Sequence, residues 1–156
     1  MFRGRLLAES LQLGADLVVA DLRLARIGQH DVSDSAGSSQ PTVWTFVDFE
    51  LPEDRADELA AQLAGALRPD GGWYADFRSG SEYVVVFAGK TFRYAKGDRI
   101  ARDEARAYGR SVDVPAHQLD WEDVETPGHL TRRRVVRLGF SLRRPLLLQV
   151  SCSQRL

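Results

Sequence analysis

The residues whose types and spacing could do chemistry in this sequence are Trp44, Asp48, Tyr74, Asp76 and Arg78. Side chains alternate across a strand, so a strand that turns Val43, Val47 and Phe49 toward a core turns Trp44, Asp48 and Glu50 the other way. By the same period of two, Tyr74, Asp76 and Arg78 share a face opposite Trp73, Ala75 and Phe77. A surface that mixes aromatic, acidic and basic tips suits a small polar ligand or a partner segment, because aromatic area supplies affinity and the charges fix orientation. The competing structural expectation is that the N-terminal segment covers Trp44 and Phe46 and that the charges are ordinary cross-strand pairs.

Catalytic patterns are sparse. Asp48 and Glu50 would point the same way about 7 Å apart along a strand. With Asp76 they raise the paired-carboxylate reading of glycoside hydrolysis, an alternative weakened because alternating acids are common on exposed strands. His117, Asp120 and Trp121 could form a small acid–base cluster. His30, His117 and His129 share no metal-ligand spacing, so neither a metal nor another cofactor is expected. Gly71-Gly72 leads into a strand and lacks the following helix that would aim N–H groups at a phosphate. The lone cysteine, Cys152, allows no intrachain disulfide, which favours a reducing cytoplasm. The residues therefore point to a non-catalytic binding or interaction module for a protein or small-molecule partner, with a small hydrolase using the sheet-face carboxylates as the alternative.

The 156 residues carry a formal charge of −1, but the balance is uneven along the chain. From Pro127 to Leu156 there are seven arginines and no acid, whereas residues 1–126 hold 14 basic and 22 acidic side chains. An acidic body thus precedes a basic appendage, set at residues 122–156. Clustered arginine can contact nucleic acid, yet without a motif that role is not favoured. Glu9 interrupts the apolar N-terminus too early for a signal-peptide core. No apolar run approaches the roughly 18 residues that suggest a bilayer span.

Several elements must position the candidate face. Residues 3–13 are compatible with a short helix through Leu6, Leu7 and Leu11, ending at Gly14. Residues 16–27 suggest one or two strands with a bend at Asp21. Residues 29–41 are polar and small, which predicts a mobile loop. Clean alternation predicts a strand over 42–51, and Pro52-Glu53-Asp54 opens a helix whose stripe is Ala56, Leu59, Ala60, Leu63 and Leu67. Residues 73–94 read as a three-stranded meander. Asp98 then caps a second helix with Ala101, Ala105 and Tyr108 inward, and Gly109 is expected to stop or fray it. Tight turns make the strands antiparallel. The expected fold is an α+β two-layer sandwich, a mostly antiparallel sheet of four to six strands with two helices on one face, in a single domain over residues 1–121.

The segments Gly72-Trp73-Tyr74-Ala75-Asp76-Phe77, Phe92-Arg93-Tyr94, Gly97-Asp98, Tyr108-Gly109-Arg110-Ser111 and Val114-Pro115-Ala116-His117-Gln118-Leu119-Asp120-Trp121 resemble those of small uncharacterised α+β proteins from high-GC bacteria. The resemblance covers about residues 6–121. It implies a self-contained domain ending near Trp121 and brings no activity with it.

Overall fold

The computed structural model describes residues 1–119. Asp120, Trp121, His129, Cys152 and the basic appendage at 122–156 lie outside the described residues. Within them the order is β1 (Phe2–Leu7), β2 (Arg23–Asp31), β3 (Val43–Leu51), α1 (Ala56–Ala66), β4 (Ala75–Arg78), β5 (Glu82–Phe87), β6 (Lys90–Ala95) and α2 (Arg99–Ser111). Single 3₁₀ turns cover Ala8–Ser10, Glu53–Arg55 and Ala116–Gln118. The six strands form one antiparallel sheet in the order β2-β3-β1-β4-β5-β6. The α+β sandwich expected from the pattern is therefore present, with the strand from the N-terminus at its centre.

That strand differs from the short helix expected over residues 3–13. Propensity there is weak, and pairing decides: Phe2 lies opposite Leu51, while Gly4 lies between Phe49 on β3 and Phe77 on β4. Phe2, Gly4 and Leu6 turn toward α1, and Arg3 and Arg5 turn away, a period of two. A side chain at position 4 has no space. A Cβ there would come within 3.0 Å of Phe77 Cβ, Phe49 Cζ and the Asp76 carbonyl oxygen. The missing side chain lets the Phe49 and Phe77 rings meet across β1, centroids 6.0 Å apart.

The first face carries the larger core. Leu59 and Leu63 of α1 pack with Leu51, Phe77, Val84 and Val86, all nearly or fully buried. The stripe reads as expected, and Leu67 joins it from just past the helix end. The placement of the two helices differs from the expectation that both cover one face. On β5, Val84 and Val86 join the α1 cluster, while Tyr83, Val85 and Phe87 join Ala105 and the α2 cluster. Alternate residues of one strand point to opposite faces, so α1 and α2 lie on opposite sides of the sheet. Asp98 caps α2 by accepting a hydrogen bond from Ala101 N at 3.0 Å, as its position predicts. Gly109 does not end the helix. It is buried within it, and a Cβ there would meet Leu119 Cδ2 at 2.7 Å, so the glycine admits Leu119 against the helix.

The segment expected to be a mobile loop is packed. Residues 29–31 extend β2, and Val32 is 1% exposed, in a cluster with Leu7, Trp44, Phe46 and Trp73. Gln40 Nε2 donates to the Gly71 carbonyl at 2.9 Å, and Gln118 Nε2 donates to the Ser35 carbonyl at 3.2 Å. Average polarity hid one valine and one glutamine that find partners, and a hydrogen-bonded polar group can be buried at little cost. Asp21, at the expected bend, has a φ of 61°.

Two substitutions test this architecture. Leu63 is fully buried, so Leu63→Ala should cost about 2–5 kcal/mol in urea unfolding, and a loss below about 0.5 kcal/mol would show that α1 does not pack as described. Gly4→Ala should cost about 1–3 kcal/mol, because two rings and a backbone oxygen must move. An unchanged midpoint would place β1 elsewhere.

Candidate functional site

On the second face, the register draws charged residues of four strands into rows. Arg26 of β2 lies opposite Asp48 of β3, Asp48 opposite Arg5 of β1, and Arg5 opposite Asp76 of β4. Arg5 binds Asp48 through two hydrogen bonds, Nε to Oδ1 at 2.5 Å and Nη2 to Oδ2 at 3.0 Å. Its guanidinium also lies over the Phe46 ring, 5.1 Å from the centroid. Arg26 Nη1 lies 4.0 Å from Asp48 Oδ2, the oxygen that also accepts from Arg5 Nη2. One step along the strands, Glu50 lies between Arg23 and Arg3, and Arg3 lies opposite Arg78. Arg3 Nε donates to Glu50 Oε1 at 2.8 Å.

These side chains are accessible to different degrees. Arg3 is 75% exposed and Arg26 56%, whereas Arg5 and Asp48 are half-buried. The guanidinium of Arg5 is held above its ordinary pKa, first by the hydrogen bond to Asp48, against the opposing effect of burial. Asp76 is pushed above the usual carboxylate range by desolvation, and Arg78 and Arg5 only partly counter that shift. No hydrogen bond reaches its carboxylate among the described residues.

The five sequence-derived candidates divide in two. Asp48, Asp76 and Arg78 come together around Arg5 on the second face. Trp44 and Tyr74 do not join them as surface. Trp44 is fully buried, its Nε1 donating to the Pro41 carbonyl at 2.8 Å and its ring 5.6 Å from that of Trp73. The covering comes from Val32 and Ala36 of the 32–41 segment together with Leu7 of the N-terminal segment. Tyr74 packs against Phe87, and its hydroxyl donates to the Gln118 carbonyl at 2.6 Å. Burial, with Asp76 nearby, pushes that phenol well above its ordinary pKa. It is a structural tie between β4 and the turn after α2.

Sequence reasoning missed Arg3, Arg5, Arg23 and Arg26. The first two belong to the alternation Phe2-Arg3-Gly4-Arg5-Leu6, which is a strand signal obscured by the leucines that follow. His117 Nε2 approaches the Ser35 carbonyl at 3.2 Å, a structural contact. Among the described residues no cluster of three or more His, Cys, Asp or Glu could hold a metal ion, and no helix is long and apolar enough to cross a membrane. No protein-family model, curated protein sequence or solved structure matches the chain.

What this arrangement can do is hold charge in a fixed lattice. Two aspartates flank one arginine, each on an adjacent strand whose axis lies about 5 Å away. The space between Asp48 and Asp76 is therefore filled by Arg5, where a retaining or inverting hydrolase would need substrate.

Asp76 gives this electrostatic description a direct check. Its folded pKa lies above its unfolded value, so the stability it contributes is complete below the ordinary aspartate pKa and is lost as pH rises through the folded value. At neutral pH the wild-type chain should therefore melt below Asp76→Asn. The difference should close on acidification to about pH 4, where the aspartate regains its proton. Melting curves of both proteins across that range decide it, and a wild type more stable than the variant at neutral pH would refute the assignment.

Proposed function

We propose that the protein is a non-catalytic interaction module that holds a partner on the second face of its sheet, around Asp48, Asp76 and Arg78 with Arg5 and Arg26. The observation that carries this reading is the row Arg26–Asp48–Arg5–Asp76, in which opposite charges alternate over four adjacent strands. Fixed, half-desolvated charges select a partner by complementarity and raise the cost of a wrong one, which is how charge contributes to recognition. The rigid sheet beneath them keeps the pattern from rearranging.

The hydrolase reading draws on one observation, the pKa of Asp76 raised by desolvation, since a carboxyl that holds its proton above the usual carboxylate range is better suited to act as an acid. Its other carboxylates are engaged: Asp48 by Arg5 and Glu50 by Arg3. That leaves binding as the better supported role. A reducing bacterial cytoplasm is the compartment we assign, on the lone Cys152 and the resemblance to proteins of high-GC bacteria. A nucleic-acid role for the Arg-rich segment at 122–156 is not favoured.

The test compares wild-type, Arg26→Glu and Asp76→Ala full-length chains as bait for an extract of the source organism. A protein retained by the wild type is identified by mass, purified and titrated against all three. Affinity should fall about tenfold or more in each variant, as expected when a charged partner group loses its counterpart, while circular dichroism stays unchanged. Equal affinity for all three chains would remove the second face from the binding surface.

A further inference from the structure

The charge lattice of the second face contains one mismatch. Across the register, Arg23 faces Glu50, Arg3 faces Glu50, Arg26 faces Asp48, and Arg5 faces both Asp48 and Asp76. Every one of these neighbours is of opposite sign. Arg3 and Arg78, directly opposite on β1 and β4, are both cationic. Like charges placed so are disfavoured, and nothing in the packing compels them, because both side chains are exposed. Arg3 has Glu50 on its other side, and Arg78 makes no side-chain hydrogen bond or ion pair with any described residue. An anion placed between the two guanidinium groups would restore the alternation.

We propose that Arg3 and Arg78 form the seat for a carboxylate of an acidic polypeptide segment, which is the partner chemistry of the second face. This rests on the interaction-module reading above and names what that face binds. A guanidinium presents paired N–H donors that match the two oxygens of a carboxylate or phosphate, so the class of group follows from the two arginines. Polypeptide is favoured over nucleic acid by the surroundings. Glu50 and Asp76 lie beside the seat, where an evenly charged phosphate backbone would run onto them. The described residues hold 14 basic and 18 acidic side chains, so the wider field also repels a long polyanion. An extended acidic peptide places a carboxylate on one face at every second residue and can leave neutral or basic side chains opposite Glu50 and Asp76.

The test uses the full chain and a fluorescein-labelled hexapeptide, Gly-Ser-Glu-Glu-Ser-Gly, whose neutral flanks spare Glu50 and Asp76, followed by anisotropy at roughly 50 mM salt, where exposed charges are lightly screened. Wild type should bind saturably. Arg3→Gln and Arg78→Gln should each weaken binding about tenfold or more, while Arg55→Gln, before α1, should not. Circular dichroism of Arg3→Gln and Arg78→Gln should match that of wild type, so lost binding would not reflect unfolding. Absence of saturable binding, or equal binding by wild type and both seat variants, overturns the inference. So does tighter binding of an oligothymidylate that is lost in the same variants. If capture of the native partner depends on Arg26 and Asp76 while the labelled hexapeptide does not bind, the module reading stands and the acidic chemistry falls.

Discussion

The fold depends on the insertion of β1 between β3 and β4. The β2–β3 pair and the β4–β5–β6 meander are each local, and β1 is the strand that joins them into one sheet. Its partners are distant in sequence, Leu51 opposite Phe2 and Arg78 opposite Arg3, so closing the sheet means ordering a long stretch of chain. Side-chain alternation makes the register of this insertion unambiguous. A slip of one residue would turn Arg3 and Arg5 into the apolar layer beneath α1 and expose Phe2 and Leu6. Gly4 restricts the register further, since it alone leaves room for Phe49 and Phe77 to meet above the strand.

From that insertion the two faces acquire different tasks. The α1 face is closed by aliphatic packing, with Arg93 linking the helix to the meander through Asp57 and Glu82 at a solvent-exposed site, where such pairs contribute little. The second face is shared. Helix α2 covers the β5 side with Ala105 and Gly109, the 32–41 segment covers Trp44 and Phe46, and Tyr74, Gln40 and Gln118 hold these covers to the sheet. The charged rows occupy the part of β2, β3, β1 and β4 that neither cover reaches.

Local regularity decided what could be read in the sequence. The strand Val43–Leu51, the stripe of α1, the meander and the Asp98 cap all follow from periodicity or turn chemistry within a few residues. What escaped is what only tertiary partners reveal: β1, whose leucines mimic a helix, and the packing of residues 32–41. The opposite placement of the helices did leave a trace. Tyr83-Val84-Val85-Val86-Phe87 is apolar at every position, the mark of a strand covered on both faces, whereas one-sided cover would have left alternate polar residues. Trp44 and Phe46 on the reverse of β3 carried the same message. For the candidate site, period-two spacing grouped Asp48 with Glu50 and Asp76 with Arg78 correctly. It could not reveal that Arg5 joins the two groups, because that depends on which strand lies between β3 and β4.

Arg5 also lies between the site's two aspartates. Its two hydrogen bonds go to Asp48, leaving Asp76 with a longer-range share of the same positive charge. That share is too small to offset desolvation, so Asp76 stays raised while its neighbour across Arg5 is engaged in a bidentate pair. The two carboxylates thus compete for one guanidinium, and any partner cation that drew Asp48 away from Arg5 would free that guanidinium to stabilise ionised Asp76. The converse holds for an anion bound at Arg78, which would offset the other positive charge that favours ionisation and raise the Asp76 pKa further. Charge placed at one edge of the lattice is therefore felt at Asp76 through named neighbours a strand or two residues away, without movement of the backbone.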